Sequence, residues 1–485
     1  MDRPAALIEA IGATDLNRLI SRALMTRREW IGAAGAISLA PRVAEAAPPA
    51  GFRHRAYLGW ITDLASAPST YATWPSMRLD EDLMRDYSRT FALLKRLGFS
   101  EIVVWGFFVS RDWPVDIESA VAPQRAILVN RLIDMAHRHG LRVYTGLGVY
   151  SWGFEKIIQA HPELSRTNPQ AMCASLPEAW EWMRKVTDFA FERFPIDGAS
   201  LQSADQGRCE CSECKRYSDT EYHARVDLRV AEYVRAKWPR MTLAVSGWGM
   251  DLQSPDSIPA LVSLSRKIDY LIDVRDSASD AGPDFRRKLI ESLQCAFGTV
   301  GGPQVEPPQH WNRDRWFLPT AKRQGEHLAS LYRDGGRACE YFFHILANPG
   351  DEISAWVAGK LLDDPATPWQ THLRDTVAEL YRTPSTTTSH LMDLFVTAED
   401  AYLKHLPTYR SGTISMEPII GDKPGPPLYL TKRFSAEARM AYRGEVERLI
   451  PAFEAIAKDV PEKMRVRRIV RCLRNVVKDI DSVEA

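Results

Sequence analysis

Short apolar runs alternate with amphipathic stretches along most of the chain beyond residue 51. The run Ile102–Phe108 is apolar throughout, as expected of a strand that is covered on both faces. Between such runs, apolar residues recur at helical spacing, as they do from Leu83 to Leu97, where Gly98 ends the predicted helix. The pattern predicts eight strands, at Tyr57–Ile61, Ile102–Phe108, Arg142–Val149, Gly198–Gln202, Thr242–Trp248, Tyr270–Val274, within Cys295–Glu306, and at Ala338–Ile345.

Eight strand–helix units over about 300 residues predict an α/β fold, a (β/α)8 barrel of the TIM type. An open doubly wound sheet is the alternative, although no Gly-x-Gly-x-x-Gly motif follows the first strand. Residues 51–350 would form the barrel, and residues 351–485, which show no clear strand pattern, a helical C-terminal domain. The helices of that domain are predicted at Ile353–Leu362, Leu373–Tyr381, Ser389–His405, Ala436–Ala457 and Met464–Ile480.

The first 50 residues have the composition of a targeting segment. Arg27 and Arg28 precede a weakly hydrophobic stretch, Ile31–Ala40, and Ala44-Glu45-Ala46 has the small-x-small form of a cleavage site. This order resembles a twin-arginine signal peptide and predicts a periplasmic or secreted protein. Translation would start at Met1 or Met25. The alternative is an amphipathic cytosolic helix that contains an arginine pair by chance.

Composition and charge exclude several classes of protein. Of 485 residues, 45% are hydrophobic, so the chain can bury a large core and is not globally disordered. The 62 basic and 62 acidic residues give a net charge of zero, which argues against a nucleic-acid binder. Apart from the N-terminal segment, no apolar run approaches the length of a stable membrane span.

Aromatic residues follow nearly every predicted strand, beside carboxylates. In a barrel of this type the chemistry lies at the carboxyl ends of the strands. Flat aromatic faces stack on sugar C–H faces, so the pattern predicts a carbohydrate substrate; packing of these side chains in the core is the alternative. The candidate substrate-binding residues are Trp60, Trp105, Trp152, Trp248, Arg275, His310, Trp311 and His344.

Four cysteines lie on two neighbouring predicted loops. Cys209, Cys211 and Cys214 follow the fourth strand, and Cys173 lies in the loop after the third. They could converge on one tetrahedral zinc ion, whose full sulfur shell would make it structural. A disulfide that involves Cys173, or free thiols, are the alternatives, since an exported protein meets an oxidising compartment. No catalytic cofactor is predicted.

The segment Ala204–Cys214 resembles the one after strand four in glycoside hydrolase family 42 β-galactosidases. There an Asn-Glu pair and a Gly precede Cys-x-Cys-x-x-Cys, and an earlier Cys completes a zinc site. Val305–Asn312 is similar to the strand-seven segment of that family, which carries the nucleophile. The segment 173–177 with the Cys cluster and residues 348–362 also resemble barrel proteins related to α-glucuronidases and family 20 hexosaminidases.

The resemblance implies a glycoside hydrolase, and the N-terminal segment implies that it is exported. Asp205 stands at the position of the family's acid/base Glu, and Glu306 at that of its nucleophile. Ala204 replaces the family's sugar-contacting Asn, which argues against galactosidase activity itself. Three alternatives stay open: a polysaccharide lyase that acts on a uronate-containing glycan, a non-catalytic sugar-binding barrel, and a structural or partner-binding role of the helical C-terminal domain. The basic stretch Lys463–Arg474 of that domain is interpreted as a solvated face rather than a partner site. If either carboxylate fails, the other strand-end carboxylates are substitutes, namely Asp251, Asp276 and Glu340.

Overall fold

Eight parallel strands form a closed barrel, in which each strand pairs with its neighbours in sequence and the last pairs with the first. The computed structural model describes residues 51–484 except 62–78, 110–111, 275, 302–315, 343–348 and 407–433. The predicted (β/α)8 fold is confirmed. The strands are β1 His54–Trp60, β2 Glu101–Trp105, β3 Arg142–Gly148, β4 Gly198–Gln202, β5 Thr242–Ser246, β6 Tyr270–Asp273, β7 Ala296–Gly301 and β8 Ala338–Phe342.

Helices connect the strands and make up the region after β8, which confirms the helical C-terminal region. In the described part of the chain they are α1 Glu81–Arg96, α2 Pro123–Arg138, α3 Glu155–Ala160, α4 Pro177–Arg193, α5 Asp219–Lys237, α6 Ile258–Ser265, α7 Ser277–Asp280, α8 Pro283–Ser292, α9 Ala321–Arg333, α10 Pro349–Asp363, α11 Trp369–Tyr381, α12 Ser385–His405, α13 Ala436–Ile456 and α14 Lys463–Glu484. Within the described residues, no helix is long and apolar enough to cross a membrane.

The helix α1 shows how local sequence sets the helix bounds. The side chain of Asp80 caps the first turn by accepting a hydrogen bond from the Leu83 backbone N–H (3.1 Å). Gly98, with a φ of +91°, then turns the chain toward β2. The apolar face of α1 is buried, with Tyr87 and Phe91 inaccessible to solvent. The helix therefore lies flat on the barrel, with its first turn beside the carboxyl end of β1.

Inward-facing side chains of alternate strand residues fill the barrel. Leu58, Val103, Tyr144, Ile272 and Val300 belong to one buried cluster in its interior. The outward-facing residues pack instead beneath the helices in a second, larger cluster. The barrel is therefore a filled core, and a ligand has access only at its ends.

Glu340 lies in this interior, at the third position of β8, and only 2% of its surface is exposed. Its carboxylate accepts hydrogen bonds from the Tyr270 hydroxyl (3.1 Å) and from Ser200 Oγ (3.4 Å). Burial raises its pKa to about 7. Glu340 is thus a residue of the barrel interior and not the strand-end carboxylate that the sequence indicated.

The C-terminal helices and the barrel belong to one compact unit, residues 50–485. Trp316 Nε1, ahead of α9, donates to the Asp479 carboxylate of α14 at 2.7 Å. Glu399 of α12 accepts from the backbone N–H groups of Lys322 and Arg323 in the first turn of α9 (3.0 and 2.7 Å). These hydrogen bonds hold α12 and α14 against the side of the barrel where its helices begin.

Candidate functional site

Three tryptophans meet at the carboxyl ends of the first three strands. Trp60 ends β1, Trp105 ends β2, and Trp152 follows β3 by four residues. The ring of Trp152 lies edge-on to the other two, with centroids 5.9 Å from Trp60 and 5.4 Å from Trp105. Trp60 and Trp152 are each 8% exposed, whereas Trp105 is half-buried and packs on the interior cluster. Three of the predicted aromatic residues therefore lie together at the strand ends, and Trp105 is the most exposed of them.

Glycines make room for these rings. A Cβ at Gly146, within β3, would lie 2.1 Å from Trp105 Cδ2. We expect Gly146→Ala to displace Trp105 and to lower the free energy of unfolding by about 1–3 kcal/mol, because overpacking strains a filled core. Chemical denaturation measures this loss. Gly444→Ala, on α13, is the control, since a Cβ there meets no atom within 4 Å. The control should be neutral or stabilising by up to about 1 kcal/mol, and an equal loss in both variants would contradict the steric argument.

The loop after β4 carries the predicted catalytic residue Asp205, which is exposed. Its neighbour Gln206 is held on both sides, since its backbone N–H donates to Ser151 Oγ (2.9 Å) and its Nε2 to the Glu155 carboxylate (2.6 Å). Asn168 Nδ2 donates to the Gln206 carbonyl at 2.9 Å. The loop after β3 thus fixes the backbone that positions Asp205 at the mouth.

A buried hydrogen-bonded chain lies directly beside this loop. Ser203 Oγ donates to Asp227 Oδ2 of α5 (3.0 Å), and His223 Nδ1, one turn earlier on α5, lies 3.0 Å from the same Oγ. The Ser203 hydroxyl thus joins the two side chains of α5. Burial lowers the pKa of His223 to about 4 and raises that of Asp227 to about 8. The sequence offers no motif for this chain, since Ser203 lies 20 or more residues before its two partners.

Asp227 makes stability depend on pH. Its pKa in the folded protein is about 8, against an ordinary value of 3.8, because burial disfavours the charged form. The folded state therefore holds this proton more tightly, and the stability it contributes is lost as pH rises from about 4 to about 8. We expect Asp227→Asn to lack this loss, so that its stability relative to the wild type increases between about pH 4 and about pH 9.

Denaturation curves of both proteins at several pH values measure this difference. The matched control is Asp375→Asn, at an exposed position of α11. A difference between Asp227→Asn and the wild type that does not change with pH would contradict the assignment.

The four predicted metal ligands converge. The Sγ atoms of Cys173, Cys209, Cys211 and Cys214 all lie within 4.8 Å of one another. Cys173 Sγ is 3.7 Å from Cys211 Sγ and 3.9 Å from Cys214 Sγ. A tetrahedral Zn²⁺ with Zn–S bonds near 2.3 Å separates its sulfurs by about 3.8 Å, so the spacing fits that ion. It does not fit a disulfide, whose sulfurs are about 2.05 Å apart, and all four cysteines are free.

The thiols of the cluster are not equally easy to ionise, since burial raises the pKa of Cys173 and of Cys214. Burial opposes ionisation, but hydrogen bonds from the Cys214 backbone N–H and from neighbouring thiols lower the pKa of Cys211 to about 6. The Thr167 hydroxyl lies 3.5 Å from Cys209 Sγ. The guanidinium of Arg208, the residue before Cys209, lies 3.1 Å from the Tyr217 carbonyl and 3.0 Å from Asp219, and so fixes the backbone of this loop. The cluster ties the loop after β4 to the loop after β3, a structural position close to Asp205.

The remaining candidate residues divide into two groups. Trp248, two residues beyond β5, is half-buried, and Asp251 is exposed. Burial raises the pKa of Asp276, beyond β6, but His327 at 3.3 Å and Arg286 at 3.4 Å keep it below its usual range. The other predicted site residues lie outside the described residues, namely Glu306, Arg275, His310, Trp311 and His344.

Two strand ends hold a strained backbone. Tyr150, beyond β3, has a φ of +59°, and Asp276, beyond β6, a φ of +52°. Side chains rarely adopt this left-handed conformation, and it persists where neighbours impose it, often at functional sites. The Tyr150 hydroxyl accepts a hydrogen bond from Arg229 (3.3 Å). Asp adopts the left-handed conformation more readily than Tyr does, but neither residue alone predicts it from the sequence.

Comparisons with known proteins support the fold. No protein-family model and no curated protein matches the chain significantly. Among solved structures, it is similar to a glycoside hydrolase family 138 enzyme that targets pectin rhamnogalacturonan II, with a TM-score of 0.57 and 9% identity. The match covers 93% of this chain and 59% of that enzyme, so the chain spans less than two thirds of its length.

Two further structures match less closely. An O-GlcNAc hydrolase mutant from Thermobaculum terrenum matches with a TM-score of 0.49 and 12% identity, over 89% of this chain and 83% of that one. A maltogenic α-amylase from Thermotoga neapolitana matches with a TM-score of 0.40 and 11% identity, over 64% of this chain and 75% of that one. At such identities a likeness concerns the fold alone. The resemblance to family 42 at the cysteine cluster and at the strand-seven segment stays a prediction.

Proposed function

We propose that the protein is an exported glycoside hydrolase that cleaves a glycosidic bond at the carboxyl end of the barrel. The observation that carries the proposal is the Trp60, Trp105 and Trp152 cluster at the mouth, beside a fixed loop that presents Asp205. Aromatic faces bind sugar rings, and a protonated carboxyl group next to them can donate its proton to a glycosidic oxygen. The shared barrel fold with a pectin-directed enzyme is consistent with this class of substrate.

In this mechanism Asp205 is the general acid and protonates the leaving oxygen, while Glu306, from the segment after β7, attacks the anomeric carbon or activates water. A separation of about 5–5.5 Å between the carboxyl groups gives retention of configuration, and about 6.5–9.5 Å gives inversion. Asp is one methylene shorter than the Glu of family 42, which favours the wider gap. Arg275, His310, Trp311 and His344 would bind substrate hydroxyls or a uronate carboxylate, with Trp248 as a further aromatic face.

A substrate screen tests the proposed function. The purified protein is incubated with chromogenic glycosides of several sugars and with uronate polymers, and the products are separated. We expect release of a reducing sugar. An unsaturated product would identify a polysaccharide lyase instead, and saturable binding without turnover would identify a non-catalytic sugar-binding barrel.

We further propose that the four-cysteine cluster holds a structural zinc ion. The spacing and burial of the sulfurs support a metal, and four thiolates leave no position open for water. Bound zinc would supply only cross-linking of the two loops. Cys173 would anchor the loop after β3, and Cys209, Cys211 and Cys214 the loop that positions Asp205.

Export is proposed from the N-terminal segment. We expect the mature protein to begin near Ala47 and to lie outside the cytoplasm, because Arg27 and Arg28 precede an apolar stretch and a small-x-small site. N-terminal sequencing of the protein from the periplasmic or secreted fraction checks this. Changing both arginines to lysine is the control and should retain the precursor in the cytoplasm. An intact N-terminus in the cytoplasmic fraction of the wild type would contradict the proposal.

A further inference from the structure

Over most of the length of helix α14, every charged side chain is positive. Between residues 463 and 478 it contains no Asp or Glu, although the whole chain has a net charge of zero. Its cations are Lys463, Arg465, Arg467, Arg468, Arg471, Arg474 and Lys478. This excess is therefore local to one helix.

Five of these cations form a straight row, which we call the α14 stripe. They are exposed and follow one another at steps of four, four, three and four residues: Lys463, Arg467, Arg471, Arg474 and Lys478. Such steps keep side chains on one helical face. At 1.5 Å per residue the stripe is about 22 Å long. The opposite face is buried, with Val466, Ile469 and Val476 inaccessible to solvent.

Most of the stripe is not neutralised within the protein. Among the described residues, no carboxylate forms an ion pair with Lys463, Arg467 or Lys478, whereas Arg474 pairs with Glu454 of α13. Like charges at i and i+4 destabilise a helix, so a row of this kind costs stability unless an anion lies along it. A surface that served only solubility would intersperse both signs.

A hydrogen bond and an ion pair hold α14 at the carboxyl end of the barrel. Asp479 accepts the hydrogen bond of Trp316, which lies between β7 and α9, and Arg465 pairs with Glu352 at 2.6 Å. Glu352 is in the first turn of α10, the first helix after β8. Because each barrel helix begins where the preceding strand ends, both anchors lie on the side of the candidate site.

We propose that the α14 stripe is a docking surface for an anionic polysaccharide chain, which it holds close to the barrel mouth. A linear uronate polymer presents carboxylates at regular intervals along one strand, and this matches an extended row of cations in both sign and shape. The inference rests on the proposed function in taking the anionic polymer to be a carbohydrate.

Two other anionic partners fit the surface less well. A membrane-surface helix inserts an apolar face between the headgroups, but the apolar face of α14 is buried, and Met464 is its only exposed large hydrophobic residue among those described. Single-stranded nucleic acid is bound by aromatic stacking as well as by cations, and α14 contains no aromatic residue.

The test compares two triple variants of the full chain. In the stripe variant, Lys463→Gln, Arg467→Gln and Lys478→Gln remove three exposed cations; in the control, Arg89→Gln, Arg138→Gln and Arg266→Gln remove three exposed cations from barrel elements. Affinity electrophoresis in gels that contain sodium polygalacturonate or neutral dextran measures binding. Circular dichroism checks that both variants fold.

We expect the wild type and the control to bind polygalacturonate but not dextran, and the stripe variant to bind at least about tenfold more weakly. The difference should shrink at high salt, because screening weakens interactions between exposed charges. Equal weakening in the control, or undiminished binding by the stripe variant, would overturn the proposal. Equally tight, stripe-dependent binding of duplex DNA or anionic vesicles would also overturn it.

Assays of glycoside hydrolysis distinguish the docking surface from the proposed hydrolase activity. Small chromogenic glycosides do not reach α14, so the stripe variant should cleave them as the wild type does. Stripe-dependent binding of polygalacturonate in a protein that hydrolyses no glycoside would support the docking surface and contradict the hydrolase.

Discussion

Replacement of Cys214 by serine is expected to release the proposed zinc ion and to lower the free energy of unfolding by several kcal/mol. The site is preformed only in the folded chain, so the free energy of metal binding is part of the free energy of folding. Cys214 is 3% exposed and lies 3.9 Å from Cys173, so its loss breaks a closed sulfur shell between two loops. Elemental analysis should find about one zinc per wild-type chain and none in the variant.

The control is Cys472→Ser, at a fully buried cysteine of α14 that is remote from the cluster. It should also cost stability, by about 1–3 kcal/mol, because it buries a hydroxyl group, but it should keep its zinc. A chelator should destabilise the wild type and Cys472→Ser, and leave Cys214→Ser unchanged. Metal-free wild-type protein with a disulfide at Cys173, found by mass spectrometry, would contradict the zinc proposal.

The sequence predicts the strands well where an apolar run is bounded on both sides by residues that end a strand. Gly198–Gln202 is predicted with the bounds that the structure has, since Pro195 precedes it and polar residues follow it. The predicted second strand extends beyond the observed end of β2. Gly106 adopts a φ of +63° and ends the strand at Trp105, while Phe107 and Phe108 are apolar because they pack beneath a helix. An apolar run indicates that its residues are buried. The end of the strand depends on the backbone conformation, which the run does not indicate.

Short helices give no periodic apolar pattern in the sequence. The sequence pattern predicts no element at Glu155–Ala160 or Ile258–Ser265, because six or eight residues give too few turns for an apolar period. The domain boundary near residue 350 stays a prediction, because the barrel and the helices after β8 form one compact unit.

The two parts of the candidate site also differ in how far the sequence predicts them. The cysteine cluster could be predicted, since three ligands lie within six residues and the fourth lies on the neighbouring loop of the barrel. The chain of Ser203, His223 and Asp227 could not, because it joins a strand end to buried positions of α5 that resemble ordinary core residues. Its hydrogen bonds exist only once β4 and α5 are packed together.

Changing Glu306 to glutamine is expected to reduce the rate of glycoside hydrolysis by several orders of magnitude and to leave substrate binding nearly intact. In the proposed mechanism the carboxylate acts mainly in the transition state, as nucleophile or base, so its loss should lower kcat with little change in KM. Each tenfold loss corresponds to about 1.4 kcal/mol of transition-state stabilisation. Steady-state kinetics on the best substrate of the screen measures this, and Asp375→Asn, at an exposed position of α11, is the control.

Changing Asp205 to asparagine should separate the acid from the nucleophile. Proton donation matters most when the leaving group is a poor one, so this variant should lose far more activity on a natural oligosaccharide than on an aryl glycoside with an acidic leaving group. Added azide should restore turnover of the aryl glycoside in a retaining enzyme. Equal losses on both substrates would contradict the role of Asp205 as the acid. Full activity in Glu306→Gln would place the nucleophile elsewhere, at Asp276 or Asp251, because Glu340 is enclosed within the barrel.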